Sequence, residues 1–199
     1  MNLPLLHIVG DSISMQYGPF LEGMLKGVLA YSRKPVSDPN DPDSANGGDS
    51  RMVLAYLTER LARLPKIDLL LVNCGLHDIK RAPGADDTQV PLAAYENNLR
   101  AIIVDGRDHG AQVAWVRTTP VDDAIHNSRN KDFQRFAADV ERFNAVADRV
   151  MLEHGVPSID LHTFTCNLGS DLYIDHVHFT DAVRVQQAAF IAGRLFSLI

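Results

Sequence analysis

The sequence predicts an α/β fold built on a mainly parallel sheet. Strand-like apolar runs alternate along the chain with segments of helical periodicity, the signature of a layered α/β protein. Two of the runs, "IDLLLVN" and "AQVAWVR", are almost continuously apolar, as strands covered on both faces are. Polar clusters follow the runs, in "GDSIS", "NCGLHD", "TTPV" and "IDHVHF". In open parallel sheets, ligands bind beyond the carboxyl ends of the strands.

Each element follows from local pattern. Leu5–Val9 reads as the first strand, and a weak strand pattern lies near Val28–Tyr31. Ser50–Leu64 is the first clear helix, followed by a strand over Ile67–Asn73 and a helix over Leu92–His109. Gln112–Val116 is a strand, and Trp115 on it is expected in the core. From Asp132 to His154, Phe133, Phe136, Val140, Phe143, Ala147 and Val150 form an apolar stripe at helical spacing, and Gly155 supplies the stop. Val156–Ile159 is the last strand, and Thr180–Leu198 is a helix with Thr180 as its N-cap. Ser32–Asp49 and Thr118–Asn130 are rich in turn residues and read as long irregular loops. Loops of that length in a compact domain usually carry function.

The 199 residues suit one domain with one core, and no repeat or linker divides them. A formal net charge of −6 argues against nucleic acid as a partner, because phosphate binding needs a basic face. No apolar window approaches the roughly 18 residues of a membrane span, so no membrane partner is expected. The opening "MNLPLLHIVGD" lacks the basic, apolar and small-residue regions of a secretory signal, which leads us to expect a cytoplasmic protein. Cys74 and Cys166 read as free thiols, Cys74 as a buried and inert one. His7 reads as a packed or edge residue, while His109, His126, His154 and His162 are assigned no role.

The serine of Gly10-Asp11-Ser12 stands where a strand ends. Taken alone, the tripeptide reads first as a helix cap at a tight turn. A nucleophilic serine needs a base within reach and a third group to orient it. "YIDHVHFTDA" offers both, because Asp175 and His178 stand three residues apart on a loop that enters a helix. A neutral imidazole suits a base at neutral pH. The same segment admits a metal reading, with His176, His178, Asp175 and the strand-end pair His77-Asp78. No second spaced ligand pair or H-E-x-x-H helix backs it, and no metal is expected. Gly48, just before a helix, can present a backbone N–H to an anion, and His77 ends the most apolar strand. Asp11, Asp49, Gly75, Asp78, Thr119 and Val177 are possible substrate contacts.

Four separated segments in this order resemble the SGNH hydrolases, or GDSL-type esterases. "GDSIS" is similar to their first block, "NGGDSRMVLAYL" to the second, "NCGLHDIK" to the third and "YIDHVHFTDAV" to the last. "RTTPV", Asn144 and "GVPSIDL" fit the pattern between them. The resemblance implies a flavodoxin-like three-layer α/β/α sandwich with no cofactor. It implies Ser12 as nucleophile, Asp175 and His178 completing a triad, and Ser12, Gly48 and the third-block residue as oxyanion donors. That block usually reads Gly-x-Asn-Asp, and here His77 replaces the Asn. A neutral imidazole keeps one N–H donor. A charged one would stabilise an anion more, but only at a pH where His178 would lose its function as a base.

The expected activity is serine ester hydrolysis of a small acyl ester through an acyl-enzyme. Turn-rich loops with Asn, Asp and Arg lean towards a polar, sugar-like substrate such as a carbohydrate O-acetyl ester. Acyl transfer, thioester or lysophospholipid hydrolysis would use the same triad. A non-catalytic binding protein on the same fold is the alternative that His77 favours.

Overall fold

The computed structural model describes residues 3–198. Five strands, β1 (Leu5–Val9), β2 (Ala30–Arg33), β3 (Leu69–Val72), β4 (Gln112–Val116) and β5 (Ser158–Ile159), form one sheet in the order β2-β1-β3-β4-β5. Every neighbouring pair is parallel. Among the described residues, seven α-helices connect and cover them: α1 (Ser12–Leu25), α2 (Ser50–Arg60), α3 (Leu92–Asp108), α4 (Asp123–Arg129), α5 (Ala137–Glu153), α6 (Leu161–Cys166) and α7 (Asp181–Leu195). Because parallel crossovers are right-handed, stepping from β1 outward to β2 places α1 on one face. The steps through β3, β4 and β5 run the other way and place α2, α3 and α5 on the opposite face. The packing agrees: α7 lies against α1 and α6, while α3 lies between α2 and α5. The sheet is thus the middle of three layers. The winding reverses between β1 and β3, so their carboxyl ends open a crevice there.

The core follows from the patterning. β3 is buried along its whole length, and Trp115 on β4 is among the largest fully buried side chains. Two buried asparagines fix the strand ends. Asn73 donates to the Val116 carbonyl (2.9 Å), and Asn144 of α5 accepts from the Thr118 N–H (3.0 Å) and donates to the Thr118 carbonyl (2.9 Å). His7 is packed in the interior and not at an edge, since β1 pairs on both sides.

Four expectations shift. β2 begins at Ala30, because the Val28 and Leu29 N–H groups close a turn on the Leu25 carbonyl. The irregular reading of Thr118–Asn130 misses α4, which Asp122 caps through the Ile125 N–H (2.8 Å). Leu161–Cys166 forms a further short helix, capped by Asp160. The long helix starts at Ala137 and not at Asp132. Gln134 instead exchanges two backbone hydrogen bonds with Arg81 (2.9 and 2.8 Å), and Phe136 is extended. Among the described residues, no helix is long and apolar enough to cross a membrane.

His7 links β1 to its surroundings. Its Nδ1 meets the Ser32 hydroxyl at 2.8 Å and its Nε2 meets the Tyr56 hydroxyl at 3.1 Å. Ser32 donates its own proton to the Leu6 carbonyl, so His7 Nδ1–H is the donor and Nε2 the acceptor, which fixes a neutral tautomer. Burial, with Arg33 nearby, lowers its pKa from 6.5 to about 4. The unfolded chain therefore takes up this proton below pH 6.5, and the folded one only near pH 4. Stability from this group is complete above pH 6.5 and lost as the pH falls towards 4. The stability advantage of wild type over His7→Gln, measured by denaturant unfolding, should shrink on the order of 2 kcal/mol between pH 8 and 4.5. A pH-independent difference would show that His7 protonates equally in both states.

Candidate active site

The first strand-end loop separates two duties that one residue could have shared. Asp11 caps α1, accepting the Ile13 N–H at 3.0 Å, and is 1% exposed. Ser12 is the first helical residue, and its hydroxyl carries no cap. It donates instead to His178 Nε2 at 2.8 Å. The Ser12 N–H is one of the donors that a helix start leaves without an intrahelical partner.

The last loop supplies the other two groups. His178 Nδ1 lies 2.7 Å from Asp175 Oδ2, and Asp175 Oδ1 accepts the Val177 and His178 backbone N–H groups, both at 2.8 Å. Burial acts to raise the Asp175 pKa, but these two N–H bonds and the imidazole prevail and hold it at about 2. The loop is narrow, because Ile174 donates to the His178 carbonyl and Thr180 to the Leu172 carbonyl, both at 2.9 Å. Arg129 ties α4 to it through the Asp175 carbonyl (2.9 Å). The two sequence-distant segments thus meet as one hydrogen-bonded series, Ser12–His178–Asp175. In it, a carboxylate orients an imidazole whose second nitrogen faces a hydroxyl.

The second and third loops come alongside. Gly47 donates to the Gly10 carbonyl (2.9 Å), which draws the Asn46–Asp49 turn against the start of α1. Gly48 has φ +72, a left-handed conformation suited to glycine. Its N–H is not open to the cleft, because it donates to Asn46 Oδ1 at 2.8 Å. His77 lines the cleft with Ser12 and His178, in a space of about 290 Å³. Burial, with Lys80 and Arg135 nearby, lowers its pKa to about 3. His77 is therefore neutral across the ordinary pH range.

Most of the nominated substrate contacts belong to the scaffold. Asp11 is an internal cap. Asp49 caps α2 through the Arg51 and Met52 N–H groups (3.0 and 3.2 Å) and binds the Arg51 guanidinium and Gln89. Asp78 is fully buried on the Ser50 N–H (3.0 Å), and burial pushes its pKa up to about 7. Gly75 has φ +148 and is buried where a Cβ would collide with Thr118 Oγ1, and Thr119 is buried too. None of these five lines the cleft. Val177 does line it, though its side chain is mostly buried and its N–H serves Asp175.

The sequence reading missed several residues of the cleft wall, chiefly Asn46, Lys80, Phe133, Arg135 and His176. Phe133 and Arg135 were hidden by the false start of the long helix, whose stripe placed Phe133 in the core. Asn46 had a signal in the turn-rich loop, and His176 had one in its spacing from His178. Among the described residues, no group of three or more His, Cys, Asp or Glu side chains could hold a metal ion.

Fold and strand order together define a doubly wound α/β protein of the three-layer flavodoxin-like kind, with its polar cleft at the switch point. The chain belongs to the GDSL-like lipase/acylhydrolase family, whose model matches residues 8–183. Among solved structures, a lipase/acylhydrolase from Enterococcus faecalis is similar at 18% identity and TM-score 0.73, covering 98% of this chain and 96% of that one. An aryl esterase from M. smegmatis is similar at 17% identity and TM-score 0.71, covering 98% and 100%. A carbohydrate acetylesterase from Sinorhizobium meliloti is similar at 15% identity and TM-score 0.68, also covering 98% and 100%. These neighbours are SGNH hydrolase folds. No curated protein matches by sequence.

A side chain at Gly48 would meet left-handed strain and the Met52 side chain together. Gly48→Ala should destabilise the protein by about 2 kcal/mol, within the usual range for such strain. Thermal unfolding measures this, and an unchanged Tm would show that the turn relaxes without loss.

Proposed function

We propose that this protein is a serine esterase that cleaves a small acyl ester through an acyl-enzyme. The observation that carries the reading is the hydrogen-bonded series from Ser12 through His178 to Asp175, opening on a cleft. Ser12 Oγ attacks the ester carbonyl while His178 Nε2 takes its proton. Asp175 stays ionised, holds the Nδ1–H tautomer and stabilises the imidazolium. His178 then passes the proton to the departing alkoxide, and the C–O bond breaks. Water repeats the cycle in reverse roles and releases the acid.

The developing oxyanion meets the Ser12 N–H and the His77 ring N–H. The Gly48 N–H joins them when the oxyanion replaces Asn46 Oδ1 as its acceptor. His77, neutral at working pH, can act as a single fixed donor in place of the usual asparagine amide. This supports catalysis over a purely binding role. The carbohydrate acetylesterase among the fold relatives supports a short acyl group, with an O-acetyl sugar as one substrate type.

Hydrolysis of p-nitrophenyl acetate, butyrate and octanoate tests the proposal. Ser12→Ala should lower kcat at least about 10³-fold with an unchanged unfolding curve, since Asp11 and not Ser12 caps α1. Equal rates for wild type and Ser12→Ala would refute it. His77→Ala should lower kcat by about 10²-fold, the usual effect of one oxyanion donor. The shape of its pH profile between about pH 5 and 9 should match wild type, because a group with a pKa near 3 does not titrate there. A profile limb that vanishes in His77→Ala would show that His77 changes charge during catalysis.

A further inference from the structure

The cleft holds a buried arginine with no carboxylate partner. Arg135 is 3% exposed. Its Nε donates to the Leu76 carbonyl (2.6 Å) and its Nη1 to His126 Nε2 (3.1 Å), both neutral acceptors. Among the described residues, Nη2 has no hydrogen-bond partner and the guanidinium forms no ion pair. Arg81 and Arg117, by contrast, each hold a carboxylate at 2.7 Å. A buried cation is costly unless something compensates it.

The surroundings fix this arginine in place. Asn127 clamps its backbone, accepting the Arg135 N–H (3.1 Å) and donating to its carbonyl (3.0 Å). His126 accepts from Arg135 and turns its Nδ1 to Asn127 Oδ1 (3.1 Å), so it must be the neutral Nδ1–H tautomer. Burial, then Arg135, lowers its pKa to about 4. The imidazole therefore orients the guanidinium and adds no charge. Phe133 completes the arrangement, with Arg135 Cζ 4.8 Å and Lys80 Nζ 4.5 Å from its ring centre. Lys80 is half-buried and also forms no ion pair among the described residues. Two cations are thus held near one ring and line the same cleft as Ser12. Of the acids nearby, Asp11 is buried on its cap and attracts Arg135 without pairing with it, Asp49 is engaged by Arg51 and Gln89, Asp175 is held by His178 and two backbone N–H groups, and Asp43 is exposed on the rim.

We propose that Arg135 and Lys80 bind an anionic group, a carboxylate or phosphate, carried by the ester substrate beside the bond that Ser12 attacks. This rests on the esterase reading and narrows its substrate class. A guanidinium with an open Nη2 and an ammonium nearby suit such a group, since charge-assisted bonds are the strong ones. They also set specificity, because a neutral ester offers the open Nη2 and the ammonium no charged acceptor.

The test compares kcat/KM for p-nitrophenyl acetate with that for 4-nitrophenyl hydrogen succinate, anionic on the acyl side, and 4-acetoxybenzoate, anionic on the alcohol side. Wild type should prefer at least one anionic ester once intrinsic reactivity is divided out. Lys80→Gln should lower the anionic-to-neutral ratio about tenfold, mainly through KM, and Lys26→Gln, an exposed charge elsewhere, should not. Arg135→Gln is the second variant, read with its unfolding curve. Calorimetric titration with succinate and with inorganic phosphate separates this proposal from the esterase reading. Binding that Lys80→Gln weakens supports an anion site even if every ester proves inert. No binding of either anion and no preference for either anionic ester would overturn it, as would an equal loss of ratio in Lys26→Gln.

Discussion

The hydrogen bond from the Ile13 N–H to the Asp11 carboxylate is the constraint on which the site depends. A helix start needs an acceptor for its first donors, and the strand β1 ends only four residues before Ile13. Either Asp11 or Ser12 could have met that need. Because Asp11 does, the Ser12 hydroxyl remains available to His178, and the Ser12 N–H remains at the mouth of the helix. The Gly10 carbonyl immediately before it accepts from Gly47, so the same turn that frees the serine also seats the Gly48 loop. One short stretch therefore ends a strand, starts a helix and assembles two of the four loops.

The third loop depends on the sheet. β1 and β3 are paired in register and buried, so their carboxyl ends lie side by side. Ser12 and His77 follow those ends and therefore arrive at one cleft although they are far apart in sequence. Asn73 and Asn144 then hold the end of β4 to its neighbours through Val116 and Thr118. The last loop reaches the cleft differently, through α7. That helix packs on α1, and the packing brings His178 onto the first turn of the helix that begins with Ser12.

Much of this was legible in the sequence, for identifiable reasons. β3 and β4 lie in almost continuously apolar runs that fit a covered sheet, and Asp175 and His178 stand at a spacing that lets one carboxylate hold one imidazole. What was not legible depended on tertiary geometry. Phe133 fits the stripe of α5 at helical period, yet residues Gln134 and Arg81 pair as a two-residue bridge, and that pairing stops the helix short. Periodicity cannot distinguish an apolar residue turned to the core from one turned to a cleft. The acidic residues Asp11 and Asp78 follow strand ends, and Asp49 a turn-rich loop, as ligand-binding groups do, but backbone donors claimed them first. No local signal tells an Asp that caps a helix from one that meets a substrate.

The electrostatics of the cleft follow from burial more than from composition. His77 and His126 are both kept neutral by desolvation, reinforced by Lys80 and Arg135 at His77 and by Arg135 at His126, so Lys80 and Arg135 carry the positive charge of that wall. Arg135 itself keeps its proton, since burial lowers its pKa only to about 10. The arrangement is consistent across the loop: neutral imidazoles can orient and donate without adding charge, and Asp175, held near pKa 2, supplies the single ionised group of the series. The substitution of His77 for the usual asparagine fits that setting. An amide and a neutral imidazole each offer an N–H to an oxyanion, but an imidazole that gained a proton would repel Arg135 and Lys80. Burial first, and then the same two cations that shape the proposed specificity, therefore keep the replacement residue neutral, as a single N–H donor.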